Sequence, residues 1–192
     1  MGSRALIANW SEIAGSLLGL ANIVLLMRRS VWNFPVAMLM VTLVGITLYE
    51  QRLYSETLLQ AFFFVVNGWG WWLWSRARDH GESTVPVGWM SDRERFYWAA
   101  ITAVLSLGLG WFMAANTNAA LPYADATVTG ASIAAQFLLS LRRIENWVLW
   151  VAIDVISIAL YVNRELYYFA ALYVVFLILS VQGLREWRAA AR

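Results

Sequence analysis

The sequence predicts an all-α integral membrane protein with seven transmembrane helices. Three observations carry that prediction. The 192 residues are 61% hydrophobic and only 14% charged, whereas a soluble domain carries roughly 25% charged residues. The mean hydropathy is +0.59. Seven apolar runs approach the roughly 20 residues that cross the hydrocarbon core as a helix. None of them alternates polar with apolar residues, as a barrel strand does.

The runs are read in order as about Trp10 to Leu26, Trp32 to Tyr49, Thr57 to Trp74, Trp98 to Ala115, Ala126 to Leu141, Trp147 to Tyr161 and Leu166 to Leu184. Pro35 falls in the first turn of the second, where a missing N–H costs nothing. Charged residues punctuate the runs: Arg28-Arg29, Glu50-Gln51-Arg52, Arg142-Arg143 and Asn163-Arg164-Glu165. The long connection Arg76–Arg95 reads as a solvated loop. Glu12, Glu56, Asp125 and Glu145 sit at span ends, where interfacial water solvates them. Trp32, Trp74, Trp98, Trp147 and Trp187 also fall at span ends and read as interfacial anchors. Seven spans divide the arginines three (Arg4, Arg52, Arg164) against eleven. The positive-inside rule then puts the N-terminus outside and the C-terminus in the cytoplasm. No cleavable signal is expected at the N-terminus.

Composition removes several function classes. The chain has no cysteine and one histidine, His80, so neither a His-rich metal site nor cysteine chemistry is available. All 14 basic residues are arginine, which removes a retinal Schiff base. No phosphate-binding G-x-x-x-x-G-K-[ST] motif occurs, so nucleotide hydrolysis is not expected. With His80 in a loop, an intramembrane Ser–His protease and a haem protein are both disfavoured. No cofactor, no metal and no nucleic-acid partner is expected, and the chain does not read as an enzyme.

The sequence repeats itself at an offset near 113. Asn33 meets Asn146, Leu53-Tyr54 meets Leu166-Tyr167, Phe63 meets Phe176, Gly70 meets Gly183 and Trp74 meets Trp187 at 113. Arg28-Arg29 meets Arg142-Arg143 at 114, and Leu48-Tyr49 meets Leu160-Tyr161 at 112. One membrane domain over 1–192 is therefore expected. It holds a first three-helix repeat over 10–75, a linker helix over 96–115 and a second repeat over 125–187. Three spans per repeat with one between them give two parallel bundles, a 3+1+3 arrangement with the substrate held between the halves. In the linker, Gly108, Gly110, Ala114 and Ala115 suit close packing against a neighbour.

Polar residues at membrane depth mark the candidate site. Asp154 is the fully embedded acid, and a central Asp costs about 2.5–3.5 kcal/mol on insertion scales. Trp147, Trp150, Asp154, Ser157 and Tyr161 share one helix face. Such a face suits a flat, polar or cationic ligand; the alternative is that Asp154 only bonds a neighbouring helix. Gln60 and Asn67, two turns apart in span three, either read hydroxyls or a carboxamide or bond between helices. Span seven offers Tyr167, Ala170, Tyr173, Phe176 and Ser180, with Tyr173 at the position equivalent to Gln60. Asn22, Thr42 and Gln136 read as packing contacts.

The motifs Trp32-Asn33-Phe34-Pro35, Asn67-Gly68-Trp69-Gly70-Trp71-Trp72-Leu73-Trp74 and Glu145-Asn146-Trp147-Val148-Leu149-Trp150, followed by Asp154, resemble the PnuC family of bacterial vitamin-precursor transporters. The resemblance implies two three-helix bundles joined by a fourth helix, as in the SWEET sugar transporters. It also implies facilitated diffusion of nicotinamide riboside across the inner membrane, drawn onward by cytoplasmic phosphorylation toward NAD biosynthesis. Substrate contacts would come from Gln60, Asn67, Trp147, Trp150, Asp154, Tyr161 and Tyr173, and the assembly would be a homotrimer in the lipid bilayer. Thiamine or riboflavin is the alternative cargo within the family, and a non-transporting membrane scaffold the alternative outside it.

Overall fold

A computed structural model describes residues 2–50, 52, 54–77, 85–117 and 120–191; the side chains of 2–13, 16 and 54–56 are not described. His80, Arg78, Leu53 and Arg192 lie outside the described residues, as do the side chains of Arg4, Glu12, Tyr54, Ser55 and Glu56. Seven helices make up the described fold: α1 (Gly2–Met27), α2 (Asn33–Glu50), α3 (Tyr54–Ala77), α4 (Asp92–Asn116), α5 (Pro122–Ser140), α6 (Glu145–Asn163) and α7 (Tyr167–Ala190). No strand occurs among the described residues; one isolated bridge joins Gly88 to Arg143. Most helices overrun the apolar runs by a turn or more. Ser91 and Glu94 close a reciprocal capping box at the start of α4, which extends that helix well ahead of Trp98.

Four helices are long and apolar enough to cross a membrane unaided: α2, α4, α6 and α7, with hydropathies of 1.4, 1.6, 1.5 and 1.8. The polar content of α3 (Gln60, Asn67) and of α5 (Thr127, Thr129, Gln136) lowers theirs. α5 compensates by burial: it packs against both α4 and α6 and buries Ala126, Gly130, Ala131, Ala134, Ala135, Gln136, Leu138, Leu139 and Ser140. Its small residues let backbones approach. A Cβ on Gly130 would lie 2.6 Å from Ser106 Oγ and 3.1 Å from Ser106 N of α4. Of the small residues expected to pack in α4, Gly110 is buried beneath Tyr123, whereas Gly108 is exposed with no atom within 4 Å of a Cβ.

The chain forms two compact units, Met1–Pro86 and Val87–Arg192. In the first, α2 packs on α1 and α3; in the second, α5 packs on α4 and α6, and α6 on α7. The 113-residue repeat is written into the backbone of both. Among the described residues, four that are not glycine have left-handed φ: Arg29 (54°), Arg52 (62°), Arg142 (61°) and Glu165 (59°). They form two pairs at 113. Ser30 N donates to Leu25 O and Arg143 N to Leu138 O, so each turn closes with the same six-residue hydrogen bond. Asn33 Nδ2 and Asn146 Nδ2 each donate over 2.6 Å to the carbonyl three residues back. The backbone thus pairs Arg29 with Arg142 and Tyr49 with Val162, which corrects the offsets of 114 and 112 read from the arginine and Leu-Tyr pairs. Identical residues one position out of register drew those alignments away from the true one.

The end of the long connection is not a free loop. Gly88 N donates to Arg142 O (3.2 Å) and Gly88 O accepts from Ile144 N (3.0 Å). Glu145 accepts from Met90 N at 3.0 and 3.1 Å and from Arg95 Nε at 2.9 Å. Arg143 donates to Trp89 O (3.3 Å) and pairs with Glu94 at 2.6 Å. Residues 87–91 are thereby fastened to the α5–α6 turn, and Glu145 is a structural clamp as well as an interfacial charge. Asp125, likewise read as a solvated charge, pairs with Arg164 at 2.7 Å.

Gly183 of α7 lies close against Trp147 of α6; a Cβ there would stand 2.5 Å from the indole. Gly183→Ala is expected to destabilise the protein by about 1–3 kcal/mol through overpacking. Gly108→Ala is expected to be neutral or slightly stabilising, since alanine is the better helix former by about 1 kcal/mol. Thermal melting of the two variants in detergent checks the contrast.

Candidate functional site

α6 and α7 are antiparallel neighbours joined by a tight turn. That turn fixes their register, so residues at one level have numbers with a constant sum. Trp147 lies against Trp187, edge to face, at 5.7 Å between centroids. Seven residues on, Ser180 Oγ donates to Asp154 Oδ2 at 2.8 Å. Seven further, Tyr161 lies against Tyr173 at 5.2 Å. The second unit therefore carries a ladder of three rungs, indole–indole, acid–hydroxyl and phenol–phenol, spaced two helical turns apart.

The rungs differ in access. Trp147 and Trp187 are fully buried, and the Trp147 indole N–H has no partner among the described residues. Packing against Trp187 and Gly183 holds it. Trp147 is thus a core residue whose faces are taken by protein, which differs from its expected places as a ligand contact and as an interfacial anchor. Trp74 and Trp187 are buried too, while Trp32 is 64% exposed, as an anchor is. Asp154 and Ser157 are buried on α6. Tyr161 and Tyr173 are half-buried, and Phe169 and Phe176 extend their aromatic cluster at 5.5 Å each. Trp150, one turn before Asp154, is half-buried against Ala131, Ala135 and Ile153. Asp154 does bond a neighbouring helix; Oδ1 takes no hydrogen bond from any described residue and retains accepting capacity.

The first unit repeats the ladder with different chemistry. Phe34 meets Trp74 edge to face at 5.1 Å, the equivalent of Trp147 on Trp187. The same register sets Val41 level with Asn67 and Leu48 level with Gln60. Val41 and Asn67 are both buried. Asn67 Nδ2 donates to Phe63 O of its own helix at 2.8 Å. Gln60 is half-buried, its Cβ 3.3 Å from where a Gly45 Cβ would stand. Gln60 and Asn67 thus belong to one stripe, and in the second unit Asp154, Tyr161 and Tyr173 line the α6–α7 seam, whereas Trp150 packs against Ala131 and Ala135 of α5. Sequence reading placed Ser180 on the α7 face but did not single it out. The constant sum 147 + 187 = 154 + 180 = 161 + 173 is the signal that finds it.

Seven helices, four of them long and apolar enough to cross a membrane and with large apolar side chains exposed on their outer faces, define a multi-pass α-helical membrane protein. Comparison with known sequences places it further. The model of the family described as nicotinamide mononucleotide transporter matches residues 9–189, and the chain belongs to that family. It is 29% identical to the nicotinamide riboside transporter PnuC of Escherichia coli, over 96% of this chain and 87% of that one. It is 27% identical to the riboflavin/roseoflavin transporter RibM of Streptomyces davaonensis, over 93% and 84%. The crystal structure of the vitamin B3 transporter PnuC matches the fold with a TM-score of 0.77 at 23% identity, over 94% of this chain and 81% of that one. These relatives are transporters, not enzymes.

Because Phe34 fills the rung equivalent to Trp147, Trp147→Phe keeps an aromatic ring there and is expected to cost about 1–2 kcal/mol for the smaller volume lost. Trp147→Ala is expected to cost about 3–5 kcal/mol. Detergent unfolding curves separate this core role from a ligand contact.

Proposed function

We propose that the protein carries nicotinamide riboside across the bacterial inner membrane by facilitated diffusion. Phosphorylation of the substrate in the cytoplasm then keeps the gradient inward. The observation that carries this reading is the buried Asp154–Ser180 rung, with the Tyr161–Tyr173 pair two turns further along α6 and α7 and Trp150 one turn before Asp154 on α6. Nicotinamide riboside is a flat pyridinium bearing a carboxamide and a ribose. Aromatic faces attract such a cation through their quadrupoles. A carboxylate in low dielectric balances its charge or accepts from its hydroxyls. In the first unit, Gln60 and Asn67 carry amides of the kind that read a carboxamide. Trp147 serves the site by holding α6 against α7.

Identity to the Escherichia coli nicotinamide riboside transporter over nearly the whole chain supports the same cargo. The arginine bias supports an outside N-terminus and a cytoplasmic C-terminus. A homotrimer is the assembly that fits the family. Riboflavin is the second reading, favoured by the likeness to the riboflavin/roseoflavin transporter. Its uncharged ring system has less use for a buried acid.

Counterflow of radiolabelled nicotinamide riboside in proteoliposomes tests the proposal. Trp150→Ala and Asp154→Asn are each expected to cut uptake roughly tenfold at normal expression. Wild-type uptake in both variants, or counterflow with riboflavin alone, overturns it.

A further inference from the structure

The two ladders share an aromatic rung and differ at the other two, and the acid–hydroxyl rung is the one that places an ionisable group opposite a buried partner. The outer rung is aromatic in both units: Phe34 on Trp74 and Trp147 on Trp187. At the middle rung the first unit has Val41 and Asn67, and the second has Asp154 and Ser180. Asn67, level with an aliphatic side chain, donates to its own helix at Phe63 O. Ser180 donates across to Asp154 Oδ2 at 2.8 Å, and both residues are at least 96% buried. A serine hydroxyl in a helix can satisfy itself by donating to the carbonyl four residues back, as Thr42, Thr102 and Thr127 do here. Ser180 instead spends its single proton on the carboxylate.

We infer that Ser180 is a positioning residue for substrate binding: by holding Asp154 Oδ2 it fixes the carboxylate rotamer and turns Oδ1 toward the substrate. Terminal carboxylate torsions are broad and nearly two-fold, so an Asp without this donor samples orientations in which neither oxygen meets the ligand. The chemistry selects for a ligand with a cationic ring or a hydroxyl donor at that level. Ser180 does not touch the ligand; it acts through Asp154. The inference rests on the reading of Asp154 as a substrate contact.

Equilibrium binding of radiolabelled nicotinamide riboside to the purified full chain tests it, with Asp154→Asn, Ser180→Ala, Ser180→Thr and the double variant Asp154→Asn/Ser180→Ala. Ser180→Ala is expected to weaken binding roughly tenfold, the size of one charge-assisted hydrogen bond. Ser180→Thr keeps the donor and is expected to bind within about threefold of wild type. In the Asp154→Asn background, Ser180→Ala is expected to add less than about twofold, because the two residues act as one unit. Wild-type affinity in Ser180→Ala while Asp154→Asn binds weakly overturns the positioning role and leaves the substrate site standing. Wild-type affinity in Asp154→Asn removes the site reading itself. Equal, independent losses in the single and double variants also overturn the proposal, since they assign Ser180 a packing role. Should Ser180→Ala fail to fold, Ser180→Cys replaces it: the weak thiol donor is expected to give an intermediate loss, and wild-type affinity there overturns the proposal equally.

Discussion

A carboxylate as buried as that of Asp154 needs a hydrogen-bond partner, and here α7 supplies it through Ser180. That requirement governs the α6–α7 pair. Ser180 can reach Asp154 only while Trp147 stays on Trp187 and Tyr161 on Tyr173. A slip of one residue turns a helix face by about 100° and would bring Leu179 or Val181 to the acid. The tight turn at Arg164–Leu166, with Glu165 held at positive φ, sets the register. The two aromatic rungs keep it. The glycine at position 183 follows from the same constraint, because the buried indole of Trp147 takes the space a side chain would occupy.

The repeat shows how one backbone plan is given two chemistries. Left-handed turns at Arg29 and Arg142, and again at Arg52 and Glu165, are conformations a non-glycine residue enters at a cost of roughly 1–2 kcal/mol. Charged residues hold them in both halves. On this shared scaffold the first half has amides opposite aliphatics and the second an acid, a hydroxyl and two phenols.

Much of this was legible in the sequence. The seven helices, the punctuating arginines and the embedded acid followed from hydropathy and charge alone, since lipid imposes the same demands everywhere. Gln60, Asn67, Asp154, Tyr161 and Tyr173 were visible because polar and phenolic groups at depth are conspicuous. The tryptophans were harder: Trp74, Trp147 and Trp187 sit at span ends as anchors do, yet they are buried in aromatic rungs, and composition does not distinguish the two fates. The clamp of Glu145 on Met90 N and Arg95 was invisible, because it joins residues some fifty positions apart through a backbone N–H. Ser180 was overlooked because a serine in an apolar helix carries little signal until its register with α6 is known.

The claim at the centre of this account is that a buried acid among aromatic faces reads the charge of a planar ring. Calorimetric titration of the purified protein with nicotinamide riboside and with its reduced dihydropyridine form isolates that charge, since the two share ribose and carboxamide and differ in the pyridinium. The account predicts at least roughly tenfold tighter binding of the cation, as a desolvated cation–π contact and a carboxylate together supply. Equal affinity for the two forms would contradict it.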